Sequence, residues 1–379
     1  MSRGSIQRRG RHSWRIKVDL PSTNSGRQTR HLTVRGTRRD AERELARLVN
    51  AAHDGSLVEP SKLTVGAYLQ AWLANPHGLA NKTVTRYRQL AHYQIIPHLG
   101  MVPLQQLRPA HIVDWHAKLL AGGGVGGRAL SARSVLHAHC LLHHALERAL
   151  RSEIIPRNVA HAVRPPRIET REIQILKADE IAAVLTALVD HPLYPLVVVA
   201  LSSGARRGEL LGLQWGDVDF ASGTIKIERS LEQAGGTLQC KRPKSRHGVR
   251  TIALPAAAVE ALKDHHRKTL ERRLLLGQGK PAADTFVFTT FDGDPIRPDS
   301  LSRWWGDMVR SRKLPAVSFH ALRHSHASAL IAAGVDPLST SRRLGHSSPG
   351  ITLNVYSHVF NRNEDKAVAA ITAALKGAD

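Results

Sequence analysis

Two successive prolines inside Val163-Arg164-Pro165-Pro166-Arg167 set the first limit on how this chain can fold. A proline has no backbone N–H to donate and pushes the residue before it out of the helical region, so no helix runs through this point. At 379 residues the chain is also longer than a single hydrophobic core can serve. Two or three domains are expected, with one boundary at the diproline. A second break, Gly122-Gly123-Gly124-Val125-Gly126-Gly127, is expected as a flexible loop.

The charge narrows the partners. Lys and Arg number 54 against 31 Asp and Glu, a formal net charge of +23. Such a surplus repels itself in a compact fold until a polyanion neutralises it, and nucleic acid adds the gain from counterion release. Anionic lipid and a merely basic surface are the weaker alternatives. Cys140 and Cys240 are far apart with no CxxC pair, which excludes a disulfide scaffold and a Cys-based zinc site. Both are expected as small core residues in a reducing cytoplasm. The basic start, Met1 to Arg11, lacks the apolar segment of a signal peptide, and the longest apolar run, Leu196 to Leu201, is too short to span a bilayer. A soluble, cytoplasmic protein with no membrane partner is expected.

Residues 1–39 carry eleven Lys and Arg, among them Arg8, Arg9, Arg15 and Lys17, against one acid, Asp19. Alternation over Trp14 to Leu20 and His31 to Val34 predicts two antiparallel strands, with Ser5 to Arg9 as a third. Thr37 and Asp40 form an approximate capping box ahead of a helical face of Ala41, Leu45, Leu48, Val49 and Ala52. A basic sheet of this kind can lie in a DNA groove. Past a linker at Gly55 to Lys62, helices are expected at Val65–Leu73, Thr83–Ile95, Pro109–Leu120 and Ser131–Leu150. In this stretch Arg86, Arg88, Arg128 and Arg133 are candidate phosphate contacts, or simply solvated side chains.

From Ile173 onward, helical patterns at Ala178–Val189, Pro192–Ser202, Arg207–Leu213, Pro255–Leu275, Pro298–Arg310, His320–Ala333 and Pro337–Leu344 surround strand-like pieces. Those pieces are Thr224–Glu228, Thr237–Lys241 and Val249–Leu254. The predicted fold class is multidomain and mainly α with small β-sheets. It comprises an N-terminal three-stranded sheet plus helix, a helical domain, and a mostly α C-terminal domain with a small antiparallel sheet.

Reactive residue types gather in the last of these. Gly204-Ala205-Arg206-Arg207-Gly208-Glu209 lies upstream of His320-Ala321-Leu322-Arg323-His324, Leu344-Gly345-His346-Ser347-Ser348 and Tyr356-Ser357-His358. Cleaving a phosphodiester builds charge on its non-bridging oxygens, and paired guanidiniums, planar and permanently charged, match them. Arg206 and Arg323 are the candidate pair. Glu209, three residues after Arg206, can orient it, or the two form only a surface ion pair. His320 and Arg323 stand one helical turn apart, His324 shares their face, and His346 follows a Leu-Gly turn. A near-neutral imidazole can donate to an oxyanion or move a proton. With 22 histidines in the chain, surface or core roles stay open for each, and His137, His139, His143 and His144 are read that way.

Tyr356 is the candidate nucleophile, and it needs cations and a base because a phenol is protonated at pH 7. A helix-end aromatic packed on Val355 and Val359 is the alternative. Pro243-Lys244-Ser245-Arg246 reads as a hairpin between two strands. Its Lys244 is either a general acid for the leaving hydroxyl or, like Arg246, a contact to the DNA backbone.

Together these boxes resemble the tyrosine recombinases of the phage-integrase family, over essentially the whole chain. The first-arginine box matches Ser203 to Glu209, the HxLRH box His320 to His324, the LGHSS box Leu344 to Ser348, and the nucleophile box Thr352 to Val359. The resemblance implies a site-specific recombinase that cleaves and rejoins DNA through a 3′-phosphotyrosyl intermediate, with no metal or other cofactor, to integrate or excise a mobile element. Arg206, Arg323, His320 and His346 would hold the scissile phosphate. His320 would be the base for Tyr356, Lys244 the acid, and Glu209 a support. An arm-type DNA-binding domain at 1–58, a core-type helical DNA-binding domain at 62–165 and a catalytic domain at 172–379 are implied. The partners would be double-stranded DNA carrying attachment or recombination sites, further copies in a homo-tetramer that exchange Asn361 to Lys376, and an excision or bending accessory factor. On DNA the protein would associate with the bacterial nucleoid. Ser203 stands where the family usually has Thr, and Pro349-Gly350 follows the serines; neither change removes a reactive group.

A type IB topoisomerase would share the Arg/His/Lys/Tyr set, although the basic N-terminal module argues for recombination. A catalytically silent DNA-binding regulator is a further alternative. His320 and His324 at i and i+4 also match part of a zinc-hydrolase pattern, but Ala321 occupies the place of its glutamate.

Overall fold

The computed structural model describes all residues except 1–3, 20–28, 54–57, 59, 76–77, 170–173, 235, 244–245, 361–363 and 377–379. It divides into two compact units, Met1–Thr170 and Arg171–Asp379. The first unit holds two separate hydrophobic cores. In one, β1 (Gly4–Gly10), β2 (Ser13–Asp19) and β3 (Thr29–Arg35) form an antiparallel sheet in that order, with α1 (Arg38–His53) packed on one face. Ile6, Trp14, Ile16, Val18, Leu32 and Val34 point to the helix, because side chains alternate across a strand and only every second residue here is apolar. Arg15 and Lys17 therefore lie on the opposite face, level with Thr33 and His31 of β3. Arg8 does not join them. It is registered against Trp14, its guanidinium 5.8 Å from the indole centroid. Thr37 and Asp40 do form the capping box: Thr37 N donates to Asp40 Oδ2 at 2.9 Å and Asp40 N to Thr37 Oγ1 at 3.2 Å.

The second core is enclosed by α2 (Val65–Ala74), α3 (Asn81–Leu90), α4 (Ile96–Leu99), α5 (Pro109–Ala121) and α6 (Ala132–Arg151). A π-helical turn, Ala91–Ile95, joins α3 to α4. Pro97 accounts for it: the ring cannot donate to the Tyr93 carbonyl one turn back, and the ladder loosens ahead of it. The glycine run closes in a 3₁₀ turn, Val125–Gly127, with Gly126 and Gly127 at φ 71° and 73°, where a Cβ would be strained.

Inside this core His116 and His139, both buried, share a hydrogen bond of 3.1 Å. One ring donates and the other accepts, which requires the accepting ring to be neutral. Burial, reinforced by His116 and His143, pushes His139 down from 6.5 to about 4. The unfolded chain therefore takes up the proton first, and stability falls as pH drops through 6.5 toward 4. His139 alone should remove about 2 kcal/mol by pH 5. Urea denaturation between pH 7.5 and 5 measures this, and His116→Leu/His139→Leu should flatten the curve. An unchanged slope in the double variant would assign the effect to other groups.

The second unit contains α7 (Ala178–Leu188), α8 (Tyr194–Ser203), α9 (Arg207–Leu211), α10 (Ala256–Leu275), α11 (Pro298–Ser311), α12 (Ala321–Ala332), α13 (Pro337–Leu344), α14 (Pro349–Phe360) and α15 (Glu364–Lys376). Between α9 and α10 run β4 (Val218–Asp219), β5 (Thr224–Ile227), β6 (Ser230–Ala234), β7 (Thr237–Lys241) and β8 (Arg250–Ala253). β7 and β8, read from sequence as arms of one hairpin around Lys244, belong to different sheets. Gly236, at φ 83°, turns β7 back onto β6, while β8 pairs with β5. β6 escaped notice because Ser230-Leu231-Glu232-Gln233 buries Leu231 alone and shows no alternation.

Cys140 and Cys240, expected in the core, are exposed. On α6 the buried stripe passes through Ala138, His139, Leu141 and Leu142 and leaves Cys140 outside. Among the described residues no helix is long and apolar enough to cross a membrane.

Candidate active site

The site is assembled where α8, α9, α12, α13 and α14 meet. α8 ends at Ser203, whose hydroxyl donates to Val199 O at 2.6 Å and accepts from Ala205 N at 3.2 Å. The serine hydroxyl alone secures the turn, so the absent threonine methyl is not needed. Gly204 then adopts φ 62°, and a Cβ there would strike His326 and Leu344. Arg206 follows as the N-cap of α9: its backbone N donates to Glu209 Oε2 at 2.8 Å, and its Nη1 to Glu209 Oε1 at 2.7 Å. Nη2 reaches Gly345 O at 3.0 Å.

This is not a surface ion pair. Glu209 is 3% exposed and also accepts from Arg250 Nη2 at 2.8 Å. Burial alone would raise its pKa, but the Arg250 hydrogen bond and charge, with those of Arg206, outweigh it and hold the carboxyl below its ordinary range. Arg250, which sequence reasoning did not single out, further donates from Nε to Arg343 O at 2.7 Å and from Nη1 to Gly248 O at 3.0 Å. One guanidinium thus ties together the carboxylate under Arg206, the end of α13 ahead of His346, and the start of β8.

Arg323, on α12, is buried and donates from Nη1 to Gly204 O at 2.7 Å, while its Nη2 has no hydrogen-bond partner. Burial and then Arg206 lower its pKa to about 9, so it remains a cation at neutral pH, held at a cost that an anion would relieve. His346 is placed by Gly345, a left-handed cap of α13 at φ 67°; His346 N closes the turn onto Ser341 O at 3.1 Å. Its Nδ1 lies 2.8 Å from the hydroxyl of fully buried Thr352, which fixes the ring and leaves Nε2 for the site. Burial, followed by Arg323, Arg206 and Arg250, pushes this imidazole down to about 4.

Tyr356 is 1% exposed and sits at a kink in α14 (φ −117°, ψ 16°), packed among Ala327, Ile331, Leu344 and Val355. Its oxygen lies 2.7 Å from His324 Nδ1. Burial pushes the phenol up to about 12, with Arg323 opposing. Burial, then His320 and Arg323, pushes His324 down to about 4. The proton therefore rests on the oxygen, and the phenol donates to the imidazole. His320, the expected base, is exposed and stands edge-on to His324 with ring centroids 4.9 Å apart.

Lys244 and the side chain of Arg246 lie outside the described residues. Of the candidate DNA contacts in the first unit, Arg9, Arg86, Arg128 and Arg133 are exposed. Arg88 donates to Leu73 O at 3.3 Å, at the end of α2. No group of three or more His, Cys, Asp or Glu among the described residues could hold a metal ion.

Two guanidiniums, one of them with an unused buried nitrogen, two neutral imidazoles and a phenol form a set suited to phosphodiester transesterification. The sequence profile of the phage integrase family matches residues 174–363. The chain belongs to the phage integrase family. A second profile, the N-terminal SAM-like domain of phage integrases, matches residues 64–120. This recombinase is 26% identical to a tyrosine recombinase XerC-like protein of Caldanaerobacter subterraneus subsp. tengcongensis, over 96% of each chain. Its fold is shared with the Tn1549 transposon integrase solved with transposon right end DNA, at TM-score 0.69 and 22% identity over 81% of this chain and 99% of that one. It is also shared with a lambda integrase tetramer on a Holliday junction, at TM-score 0.57 and 19% identity over 89% and 91%. The chain is a site-specific recombinase, an enzyme of DNA cleavage and strand exchange.

Removing one partner of a buried ion pair costs about 3–5 kcal/mol. Arg250→Met should fall at the low end of that range, because Arg206 still faces Glu209. Urea denaturation measures it; a loss below about 1 kcal/mol would mean that Glu209 does not depend on Arg250.

Proposed function

We propose that Tyr356 attacks a DNA phosphate held by Arg206, Arg323, His320 and His346, forming a 3′-phosphotyrosyl bond as the 5′ oxygen leaves. Lys244 protonates that oxygen. The unpaired, buried Nη2 of Arg323 carries this reading: a second guanidinium stands beside it and the phenol shares the pocket, so a phosphate oxygen is the ligand that completes the site. The phosphotyrosyl bond conserves the energy of the phosphodiester, and a second DNA hydroxyl reverses the step without ATP. The reaction integrates or excises a mobile element.

In this reading 1–58 is an arm-type DNA-binding domain, 62–165 a core-type DNA-binding domain and 172–379 the catalytic domain. Arg15 and Lys17, on the sheet face away from α1, supply the arm contacts. Arg9, Arg86, Arg128, Arg133 and Arg246 belong to the DNA-binding set, while Arg8 and Arg88 serve the fold first. Four copies assemble on two duplexes, and the exposed stripe Val368, Ile371 and Leu375 of α15 is the surface exchanged between neighbours. The protein works in the cytoplasm, at the nucleoid when on DNA, with an excision or bending factor.

Nicked duplexes drawn from DNA flanking the gene, incubated with the protein in EDTA, should yield a denaturation-resistant adduct. Tyr356→Phe should lose the adduct and keep near wild-type affinity; an adduct formed by that variant would remove Tyr356 from its role. Tight binding with no adduct across all the flanking DNA would favour a silent regulator. Arg15→Glu/Lys17→Glu should reduce the slope of log K against log salt by about 2. An unchanged slope would mean that this sheet face does not touch DNA.

A further inference from the structure

We infer that His324 is a catalytic residue that takes the Tyr356 proton as the phenol attacks phosphorus. The inference rests on Tyr356 being the nucleophile. On α12 the side chains of Arg323 and His324 diverge, as consecutive helical residues must: Arg323 reaches Gly204 O and His324 reaches the phenol. The 2.7 Å contact from Nδ1 to the phenolic oxygen is already of the length proton transfer requires. His320, which the family resemblance makes the base, packs edge-on against the His324 ring, with centroids 4.9 Å apart.

The charged and titratable groups facing His324 are His320 and Arg323 from its own helix, Tyr356 from α14, and His346 from the turn after α13. None is a carboxylate, so a proton arriving on His324 of the resting enzyme meets the Arg323 cation and no standing negative charge. A bound phosphate supplies the missing negative charge and raises the imidazole's affinity for a proton, so the DNA complex gains an acid limb near neutral pH that the free enzyme lacks. The resting enzyme therefore keeps its phenol protonated, and transfer awaits DNA. In the step itself the Tyr356 oxygen bonds to phosphorus, its proton moves to His324 Nδ1, the bond from phosphorus to the 5′ oxygen breaks, and that oxygen takes a proton from Lys244. On rejoining, His324 returns its proton to the departing phenol.

The test is single-turnover adduct formation on a nicked duplex from pH 6 to 9, with DNA affinity and melting temperature measured on the same samples. His324→Asn should bind DNA and melt like the wild type, form adduct about 100-fold more slowly or worse, and lose the acid limb of the pH profile. Added imidazole should restore part of the rate to His324→Ala. A 5′-thiolate leaving group, which needs no acid, should leave His324→Asn slow. His320→Asn should keep the acid limb. Wild-type rates in His324→Asn overturn the assignment while leaving Tyr356 in place, as does a slow rate with an unchanged pH profile and no imidazole rescue. A wild type that forms no adduct on any flanking DNA removes Tyr356 and His324 together.

Discussion

Glu209 is a carboxylate that the fold buries and then surrounds with cations. It receives the backbone N–H and one guanidinium nitrogen of Arg206, and a second guanidinium from Arg250. An ion pair in such a place is a poor source of stability by itself, since desolvating two charges offsets most of their attraction. Its value is geometric. A carboxylate gripped from two sides fixes where Arg206 points, and Arg250 carries the same constraint to the segment that presents His346 and to β8. The order of the candidate site follows from one anchored negative charge.

Around that anchor the pocket is short of negative charge. Burial and Arg206 depress Arg323, and burial, with Arg323 among the further causes, keeps the histidines at 324 and 346 neutral. The same cations that would hold a phosphate also bar protons from the imidazoles. The imidazoles are thereby left free to accept a proton, or to donate a hydrogen bond, once an anion arrives. The net charge of +23 repeats this logic at the scale of the whole chain.

Much of this was legible in the sequence wherever the signal was local. The helix Pro337–Leu344 has Asp336 as N-cap and Gly345 as left-handed cap, and its limits were read to the residue. The family boxes named Arg206, Arg323, His346 and Tyr356, and the structure brings them together at the candidate site. Contacts made across the fold were not legible. Arg250 meets Glu209 across 41 residues and His324 meets Tyr356 across 32, and neither spacing leaves a periodic trace. The Lys244 hairpin was misread for the same reason, because which strand pairs with which is decided by partners elsewhere in the chain. Arg8 and Arg15 looked equivalent as charges; only strand register separates the one beside Trp14 from the one on the open face.

We propose that this site joins Tyr356 covalently to DNA. Peptide mapping of the trapped adduct by mass spectrometry tests it most directly. A nucleotide remnant is expected on the phenolic oxygen of Tyr356, attached through its 3′ phosphate. A remnant on a serine, on another tyrosine, or attached through a 5′ phosphate would contradict it.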